Sequence, residues 1–291
     1  MSAANAKYRH PLQLMPKQPC IICRCERFRN LLSIDNWHYR ECRNCGLVAL
    51  HPRPSAETLM RYYDGYLPED DAAIRRWQDL IAPVVDASAR LITARRQRTG
   101  RLLDIGCGFG FFLERMWREG WSVEGIEVSP SGRRYARRRW GLEVHAHPLE
   151  ELELDAGRYD VVTLFYVIEH VSDPVQVLAA VKRILKPGGM VVLRWPHTTP
   201  IVKLLKPWSR RLDLYHTPYH LYDFTPSTMT ALLEATGFKA VETIIGGHTL
   251  PADPLNRWTT IACGHLAQAL LTVSRGRWLL PGVSKTTVAR V

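Results

Sequence analysis

Short apolar runs alternate with segments of helical periodicity from residue 100 onward. The runs that read as strands are RLLDIG, WSVEGIEVS, LEVHAH, YDVVTLFYVI, MVVLRWP, KAVETIIG and KTTVARV. The helical segments between them are FFLERMWREG, PSGRRYARRRWG, DPVQVLAAVKRILKPGG and TPSTMTALLEATGF. Strands that alternate with helices indicate βαβ units. The pattern therefore predicts an α/β fold with a doubly wound, mostly parallel, seven-stranded sheet.

The first third of the chain divides into two segments of different composition. Residues 1–54 comprise a polar arm and a cysteine-bearing segment that leads into the Pro-rich run HPRPS. In residues 55–98, apolar side chains such as Ile74 and Ile81 recur at helical spacing. We expect residues 1–54 to hold a small metal-binding module, residues 55–98 to form a helical lid or linker, and residues 99–291 to form the main domain.

Residues 255–280 are an insertion before the final strand. Their apolar side chains follow helical spacing, and they are Trp258, Ile261, Ala262, Leu266, Ala269, Leu270 and Val273. Arg257, Arg275 and Arg277 flank this stripe, and Trp278 lies near its far end. An amphipathic helix with basic ends and Trp anchors is typical of proteins that lie on anionic bilayers. Packing against the core and a homodimer contact are the alternatives.

The charge balance favours an anionic partner without choosing one. Lys plus Arg is 39 and Asp plus Glu is 28, which gives a net charge of +11. Such a surface attracts nucleic acid, lipid headgroups or an anionic substrate. The N-terminus lacks the apolar core of a signal peptide, and no apolar stretch of about 18 residues is present. We expect a cytoplasmic protein, with peripheral contact at the inner membrane face as an additional hypothesis.

The segment Leu-Leu-Asp104-Ile-Gly106-Cys-Gly108-Phe-Gly110 joins the first of these strands to a helix. Glycines in such a turn let the backbone approach a ligand closely, and the helix N-terminus supplies free amides. An Asp beside this loop would repel a dinucleotide pyrophosphate, but it would attract a cationic aminoacyl group. Glu127 ends the next strand, where a carboxylate can accept both hydroxyls of a ribose.

At these residues the sequence resembles class I methyltransferases. The resemblance continues through DVVTLFYVIEHVSDP, ILKPGGMVVLRWPH and HLYDFTPSTMTALLEATGF, and it covers about residues 100–246. It implies that S-adenosyl-L-methionine is the cofactor, with the three glycines against its methionine portion and Asp104 close behind them. It also implies that Glu127 binds the ribose and that His147 or Leu149 lies near the adenine.

Four of the seven cysteines form two CxxC pairs, Cys20 with Cys23 and Cys42 with Cys45, which 18 residues separate. Two such pairs suit one tetrahedral Zn²⁺ that is held by four thiolates. Cys25 is an alternative to Cys23, although the CxxC geometry favours Cys23. Four thiolates leave no open position for water, so we expect a structural zinc.

The run CRNCGLVALHPRPSAETLMRYYDGY resembles the zinc ribbon that precedes the methyltransferase domain in many bacterial enzymes of saccharide, lipid and natural-product pathways. This resemblance implies a small-molecule, saccharide or lipid-linked acceptor. We expect residues 55–66 to form a lid over the cofactor pocket, with Tyr62, Tyr63 and Tyr66 as candidates for its wall. Packing of these tyrosines into the core is the alternative.

The candidate catalytic residues follow the predicted strands that end at the substrate edge. Glu169 and His170 come just after the fourth strand, and the carboxyl edge of such a sheet is where substrates bind. His170 titrates near neutrality and could act as a general base, which Glu169 would orient. A purely structural role of this pair is the alternative. His197 and His220 are weaker candidates, and Arg194 could meet an anionic substrate or a buried acid.

Three functions from different classes are consistent with the sequence. The first is a methyltransferase that acts on a small-molecule, saccharide or lipid-linked acceptor. The second is an RNA or protein methyltransferase that docks its target through the ribbon and its basic surface. Nucleic acid is the less expected partner, because no known RNA-binding module accompanies the Arg-rich run at residues 133–139. The third is a non-catalytic cofactor-binding regulator, against which the intact glycine loop and Glu127 argue.

Overall fold

The computed structural model describes residues 14–15, 18–63, 65–96, 98–205, 208, 212–274, 279–280 and 283–291. Most of the strands belong to two sheets. The strands of the larger sheet are β6 (Arg101–Ile105), β7 (Ser122–Ile126), β8 (Val144–His145), β9 (Tyr159–Phe165), β10 (Leu185–Trp195), β12 (Lys239–Ile244) and β13 (Lys285–Arg290).

The larger sheet has the order β12–β13–β10–β9–β6–β7–β8. The pairs β10–β9, β9–β6, β6–β7 and β7–β8 are parallel. Only β13 runs against its neighbours β10 and β12. This arrangement confirms the prediction of a mostly parallel, seven-stranded sheet.

Both faces of this sheet are buried, which explains the continuous apolar runs of its strands. Alternate side chains enter different cores, so Leu103 and Val162 pack on one face while Leu102 and Val161 pack on the other. The helices that cover the two faces are α2 (Asp71–Arg95), α3 (Phe111–Arg118), α4 (Pro130–Trp140), α5 (Pro174–Ile184) and α7 (Pro226–Ala235). Because helices lie on both faces, the sheet is doubly wound.

The smaller sheet is antiparallel and contains most of the cysteine-bearing segment. Its strands are β2 (Phe28–Ile34), β3 (Trp37–Cys42), β4 (Val48–His51) and β11 (Tyr222–Asp223), in the order β11–β4–β3–β2. A separate pair joins β1 (Leu14–Met15) to β5 (Arg53–Pro54). The fourth strand of the smaller sheet, β11, thus comes from a part of the chain about 170 residues beyond β4.

The connection between β10 and α7 holds the smaller sheet against the main domain. Tyr39 is fully buried, and its ring stacks on that of Tyr215 with centroids 4.2 Å apart. Its hydroxyl donates to the carbonyl of His220 at 3.2 Å. At the rim, Lys203 pairs with Glu41 at 2.8 Å. The described residues between 18 and 54 therefore share their sheet and part of their core with the rest of the chain.

Two further helical segments lie outside this frame. Before the main sheet, α1 (Ala56–Tyr63) precedes α2, whose N-cap Asp70 accepts a hydrogen bond from the amide of Ala73 at 2.8 Å. After β10, α6 (Thr199–Leu204) is short. The described residues between 55 and 98 are thus largely helical.

The predicted insertion contains a helix, α8 (Pro254–Val273). Its buried residues are Gly264, Ala267 and Leu271, and none of them belongs to the predicted apolar stripe. Arg275, Arg277 and Trp278 lie outside the described residues. Within the described part of the chain, no helix combines the length and the apolarity that a membrane crossing requires.

Candidate functional site

The three glycines after β6 adopt backbone conformations that suit glycine. Gly106, Gly108 and Gly110 all have positive φ, at 74°, 56° and 79°. A Cβ at Gly106 would lie 2.4 Å from Val167, and one at Gly110 would lie 2.7 Å from Leu142. A Cβ at Gly108 would meet no atom within 4 Å, so this glycine borders open space. The loop is tightly packed at both ends and open at its centre.

Glu127, at the end of β7, binds the backbone of this loop. Its carboxylate accepts the amide of Gly108 at 2.8 Å and the amide of Ser129 at 2.7 Å. Arg133 donates to the carbonyl of Glu127 at 2.8 Å and so holds the turn. Burial raises the pKa of Glu127, although the two amides oppose that effect. A carboxylate has about four acceptor positions, so roughly two stay available for hydroxyl groups of a ligand.

Asp104 lies at the end of β6 and is buried. Its carboxylate accepts a hydrogen bond from the hydroxyl of Thr163 on β9 at 2.6 Å. Burial, with a smaller contribution from the charge of Glu127, raises the pKa of Asp104 to about 7. Two buried acids and an open glycine fit a ligand that carries a cationic group and hydroxyls, since burial of a cation beside them offsets their repulsion.

The candidates for the adenine end differ in exposure. Leu149 begins a short 3₁₀ helix, Leu149–Glu151, and is buried in the same core cluster as Ile126. His147 is exposed and lies 3.5 Å from Glu151. Between these two, only Leu149 offers a buried apolar surface.

Glu169 is completely buried, and its surroundings leave its carboxylate unpartnered. Neither of its oxygens has a hydrogen-bond partner among the described residues. Burial raises its pKa to about 8, and Asp223 contributes to that rise. The carboxyl group is therefore neutral between its ordinary pKa of 4.5 and about 8, where free glutamate is charged.

His170 lies beside Glu169. Its Nδ1 donates to the carbonyl of Tyr219 at 3.0 Å, and its Nε2 is 3.9 Å from Oε1 of Glu169. Burial lowers the pKa of His170 to about 4, and His216 adds to the effect. Because the carbonyl fixes Nδ1 as the donor, Nε2 carries the free lone pair. The imidazole is therefore neutral near pH 7, and the expectation that His170 titrates near neutrality was wrong because burial disfavours its charged form.

His220 completes a compact group with Glu169 and His170. One ligand atom from each of the three lies within 4.8 Å of the others, so the group has the spacing of a metal site as well as of an acid–base site. The rings of His170 and His220 meet edge to face with centroids 4.7 Å apart. Burial lowers the pKa of His220 well below its ordinary value.

The last residue of α1 and the residues that follow it contact both the histidine group and α4. The ring of Tyr63 is 6.2 Å from that of His170, and the ring of Tyr66 is 5.8 Å from that of Tyr219. The carbonyl of Leu67 accepts a hydrogen bond from Ser131 of α4 at 3.3 Å. The side chain of Tyr62 is not among those that the structure describes. These contacts agree with the expected lid, which stays a prediction.

Two other candidate residues lie apart from this group. His197 is buried near Trp195, and its Nδ1 has no partner among the described residues. Among the described residues, Arg194 has no acidic partner. Its guanidinium donates to the hydroxyl of Tyr166 at 2.8 Å and to the carbonyls of Gly246 and Gly247. The expected buried acid is therefore replaced by neutral oxygens, while contact with an anionic substrate stays a prediction.

Three residues of the site carried no sequence signal of their own. Thr163 is one small residue in an apolar strand, yet it holds Asp104. Asp223 is buried and accepts the amides of Thr198 and Thr199 at 3.0 and 2.8 Å. Tyr166 has a positive φ of 58°, which is uncommon for such a residue. Only the spacing of polar residues at strand ends could have indicated them.

The four predicted cysteines come together at one end of the smaller sheet. The sulfur atoms of Cys20 and Cys45 are 3.5 Å apart, as are those of Cys23 and Cys42, and all four lie within 4.8 Å of one another. Four thiolates about 2.3 Å from a central ion would have similar separations. Cys25 is not in the group, because its sulfur interacts with the backbone of Arg27.

The comparisons with known proteins agree with this geometry. A family model described as "Methyltransferase domain" matches residues 72–243. The ubiquinone biosynthesis O-methyltransferase of Sodalis glossinidius is 31% identical over 217 residues, which are 68% of this chain and 87% of that protein. The protein of the same name from Pseudomonas aeruginosa is 31% identical over 209 residues, which are 66% of this chain and 88% of that protein.

Solved structures share the fold. Phosphoethanolamine N-methyltransferase 2 of Haemonchus contortus, in complex with S-adenosyl-L-methionine, has a TM-score of 0.56 and 17% identity over 84% of this chain and 62% of its own. A possible histamine N-methyltransferase of Thermotoga maritima has a TM-score of 0.52 and 17% identity over 80% of this chain and 99% of its own. The chain belongs to the methyltransferase domain family and is an S-adenosylmethionine-dependent methyltransferase.

Proposed function

We propose that this enzyme methylates an oxygen atom of a small-molecule or lipid-linked acceptor. The observation that carries the proposal is the buried pair of Glu169 and His170, which lies at the same sheet edge as the glycine loop. An oxygen nucleophile needs a group that takes up its proton. The curated relatives that match over most of their length are named as O-methyltransferases, which supports the same acceptor atom.

In this proposal the cofactor occupies the open centre of the glycine loop. Glu127 would accept hydrogen bonds from its ribose hydroxyls, and Asp104 would lie behind its cationic aminoacyl portion. When bound, S-adenosyl-L-methionine supplies the methyl group by in-line displacement, in which the bond from the acceptor oxygen to the methyl carbon forms while the carbon–sulfur bond breaks and leaves its electron pair on sulfur. Leu149 provides the apolar surface for the adenine.

The histidine and the glutamate move the proton. Nε2 of His170 takes the proton of the acceptor hydroxyl, and the carboxylate of Glu169 stabilises the imidazolium that results. That step requires Glu169 to be ionised, and its pKa is raised to about 8 by burial. Turnover should therefore rise with pH toward about 8. The tyrosines around His170 exclude water, which strengthens the interaction between the two charges.

We also propose that the four-cysteine group binds one structural Zn²⁺. The separations of the sulfurs support this, as does the turn at Gly46, whose φ of 81° suits glycine and whose amide donates to the carbonyl of Cys42 at 3.0 Å. A site with four thiolates contributes folding free energy directly. It would fix the smaller sheet against the connection that carries His220.

The acceptor class can be tested by incubating the purified enzyme with methyl-labelled S-adenosyl-L-methionine and fractionated cell extract. We expect the label in the fraction of small molecules or extractable lipids. Label that accumulates in RNA or protein would contradict the proposal and favour a macromolecular target. Tight cofactor binding without labelling of any fraction would instead indicate a regulator.

Replacing Glu127 by Ala should weaken cofactor binding about tenfold or more, because a hydrogen bond to a charged group contributes about 1.5–3 kcal/mol. Calorimetry with S-adenosyl-L-methionine measures this change. Glu143→Ala is the matched control, since Glu143 is an exposed acid of the same segment. An unchanged affinity of the Glu127 variant, with its fold intact by circular dichroism, would remove Glu127 from the site.

Replacing Glu169 by Gln should increase stability at alkaline pH and decrease turnover. The folded-state pKa of about 8 exceeds the ordinary 4.5, so the unfolded state loses this proton first and folding is penalised increasingly as pH rises from 4.5 to 8. Each unit of that difference corresponds to about 1.4 kcal/mol. The free energy of unfolding of the variant, measured relative to the wild type in denaturant titrations, should be at least about 1.4 kcal/mol more favourable at pH 8 than at pH 4.

The same variant should lose about 100-fold in turnover and lose the rise in rate toward pH 8, while it keeps its cofactor affinity. His170→Ala should have the same kinetic effect. Wild-type rates across pH 6 to 9 in either variant would show that this pair does not carry the proton.

The purified chain should contain about one zinc per molecule, and Cys42→Ser should release it and lower the melting temperature. Cys25→Ser is the matched control and should keep the metal, because the Cys25 sulfur interacts with the backbone of Arg27 and lies outside the group of four cysteines. Metal analysis that finds no zinc after chelator-free purification would contradict the assignment.

A further inference from the structure

Tyr39, a fully buried residue of β3, contacts three points of residues 215–220 in the connection between β10 and α7. Its ring stacks on that of Tyr215 with centroids 4.2 Å apart. Its hydroxyl donates to the carbonyl of His220 and accepts a hydrogen bond from the hydroxyl of Thr217, both at 3.2 Å. One side chain of the smaller sheet therefore contacts both ends of this segment and a point between them.

The segment of residues 215–220 in turn orients the ring that carries the proposed base. The carbonyl of Tyr219 accepts the hydrogen bond from Nδ1 of His170 at 3.0 Å. The ring of His220 meets that of His170 edge to face, with centroids 4.7 Å apart. The direction in which Nε2 of His170 points therefore depends on where the segment lies.

The backbone just beyond the segment is held from the same side. The amide of Leu50 on β4 donates to the carbonyl of Leu221 at 2.9 Å. The amides of Leu221 and Tyr222 donate to the carbonyl of Glu169 at 2.8 and 3.2 Å. Both members of the pair of Glu169 and His170 are thus connected to the smaller sheet through short chains of hydrogen bonds.

The polar atoms of this group are arranged for a ligand. Nδ1 of His220 and both carboxylate oxygens of Glu169 are buried and have no hydrogen-bond partner among the described residues. A buried polar atom without a partner destabilises the fold unless a ligand or water completes it. The contacts that hold these side chains in place therefore serve the bound acceptor more than the fold.

Different residues hold the cofactor side of the site. The carboxylate of Asp104 accepts from Thr163, and that of Glu127 accepts from the amides of Gly108 and Ser129. All three donors belong to the main domain. A change in the hydroxyl of Tyr39 should therefore act on the acceptor side and leave cofactor binding intact.

We propose that Tyr39 is a positioning residue for methyl transfer, which holds the segment of residues 215–220 so that His170 and His220 face the acceptor. The smaller sheet would then contribute to catalysis without touching acceptor or cofactor. This inference deepens the proposed function and rests on it, because the group that Tyr39 positions is the one that takes up the proton of the acceptor.

The variant Tyr39→Phe keeps the ring that stacks on Tyr215 and removes only the hydroxyl. We expect turnover to fall at least about tenfold, because a misplacement of about 1 Å costs about 100-fold. The KM for S-adenosyl-L-methionine should stay within about twofold of the wild-type value. Turnover is measured as label transferred from methyl-labelled S-adenosyl-L-methionine to the small-molecule or lipid fraction.

Tyr159→Phe is the matched control. Tyr159 is also fully buried, and its hydroxyl donates to Glu124 at 2.8 Å. It begins β9, at the end of the strand opposite the site. Because both variants lose a buried hydroxyl, we expect comparable decreases in melting temperature, but only Tyr39→Phe should lose turnover. Equal losses of turnover in the two variants would show a general effect of destabilisation and overturn the proposal.

Proton NMR of the histidine rings tests the positioning without an acceptor. The ring signals of His170 and His220, assigned with His170→Ala and His220→Ala, should shift in Tyr39→Phe and keep their wild-type positions in Tyr159→Phe. Unchanged signals in Tyr39→Phe would overturn the role of its hydroxyl. If no fraction accepts the label, the proposed function fails, whereas the comparison of the ring signals still decides whether Tyr39 positions the histidines.

Discussion

The hydrogen bond from the amide of Gly108 to the carboxylate of Glu127, at 2.8 Å, ties the loop after β6 to the end of β7. It exists because glycine lets the loop backbone turn its amide toward a buried acid. The same acid holds the turn into α4 through Ser129. The position of the loop, the start of α4 and the free acceptor sites of Glu127 thus depend on one interaction between two adjacent strands.

Acidic groups dominate the interior of the carboxyl edge. Burial raises the pKa values of Asp104, Glu127, Glu169 and Asp223, and Asp104 and Glu169 have no cationic partner within hydrogen-bonding distance in the described part of the chain. Such a site disfavours a polyanionic ligand and favours one that carries positive charge. A sulfonium cofactor with an ammonium group meets that condition, which supports the proposed placement of the cofactor beside these acids.

The features that the sequence predicted depend on local pattern. Apolar runs buried on both faces indicated the parallel strands, the glycine spacing indicated the loop, and CxxC spacing indicated the cysteine group. The unpredicted features depend on contacts between distant residues. Strand β11 is two residues long, and it pairs with β4 only when the smaller sheet folds against it. Periodicity found α8, yet it could not show that Gly264 and Ala267 face the core, because small residues give a weak hydrophobic signal.

The smaller sheet and the catalytic candidates are mechanically connected. Tyr39 donates to the carbonyl of His220, and the amide of Leu50 donates to the carbonyl of Leu221 at 2.9 Å. The amide of Leu221 in turn donates to the carbonyl of Glu169 at 2.8 Å. A displacement of β3 or β4 would therefore move the backbone on which His220 and Glu169 are held. A metal site that orders those strands would act on the chemistry through position, without contact with the reacting groups.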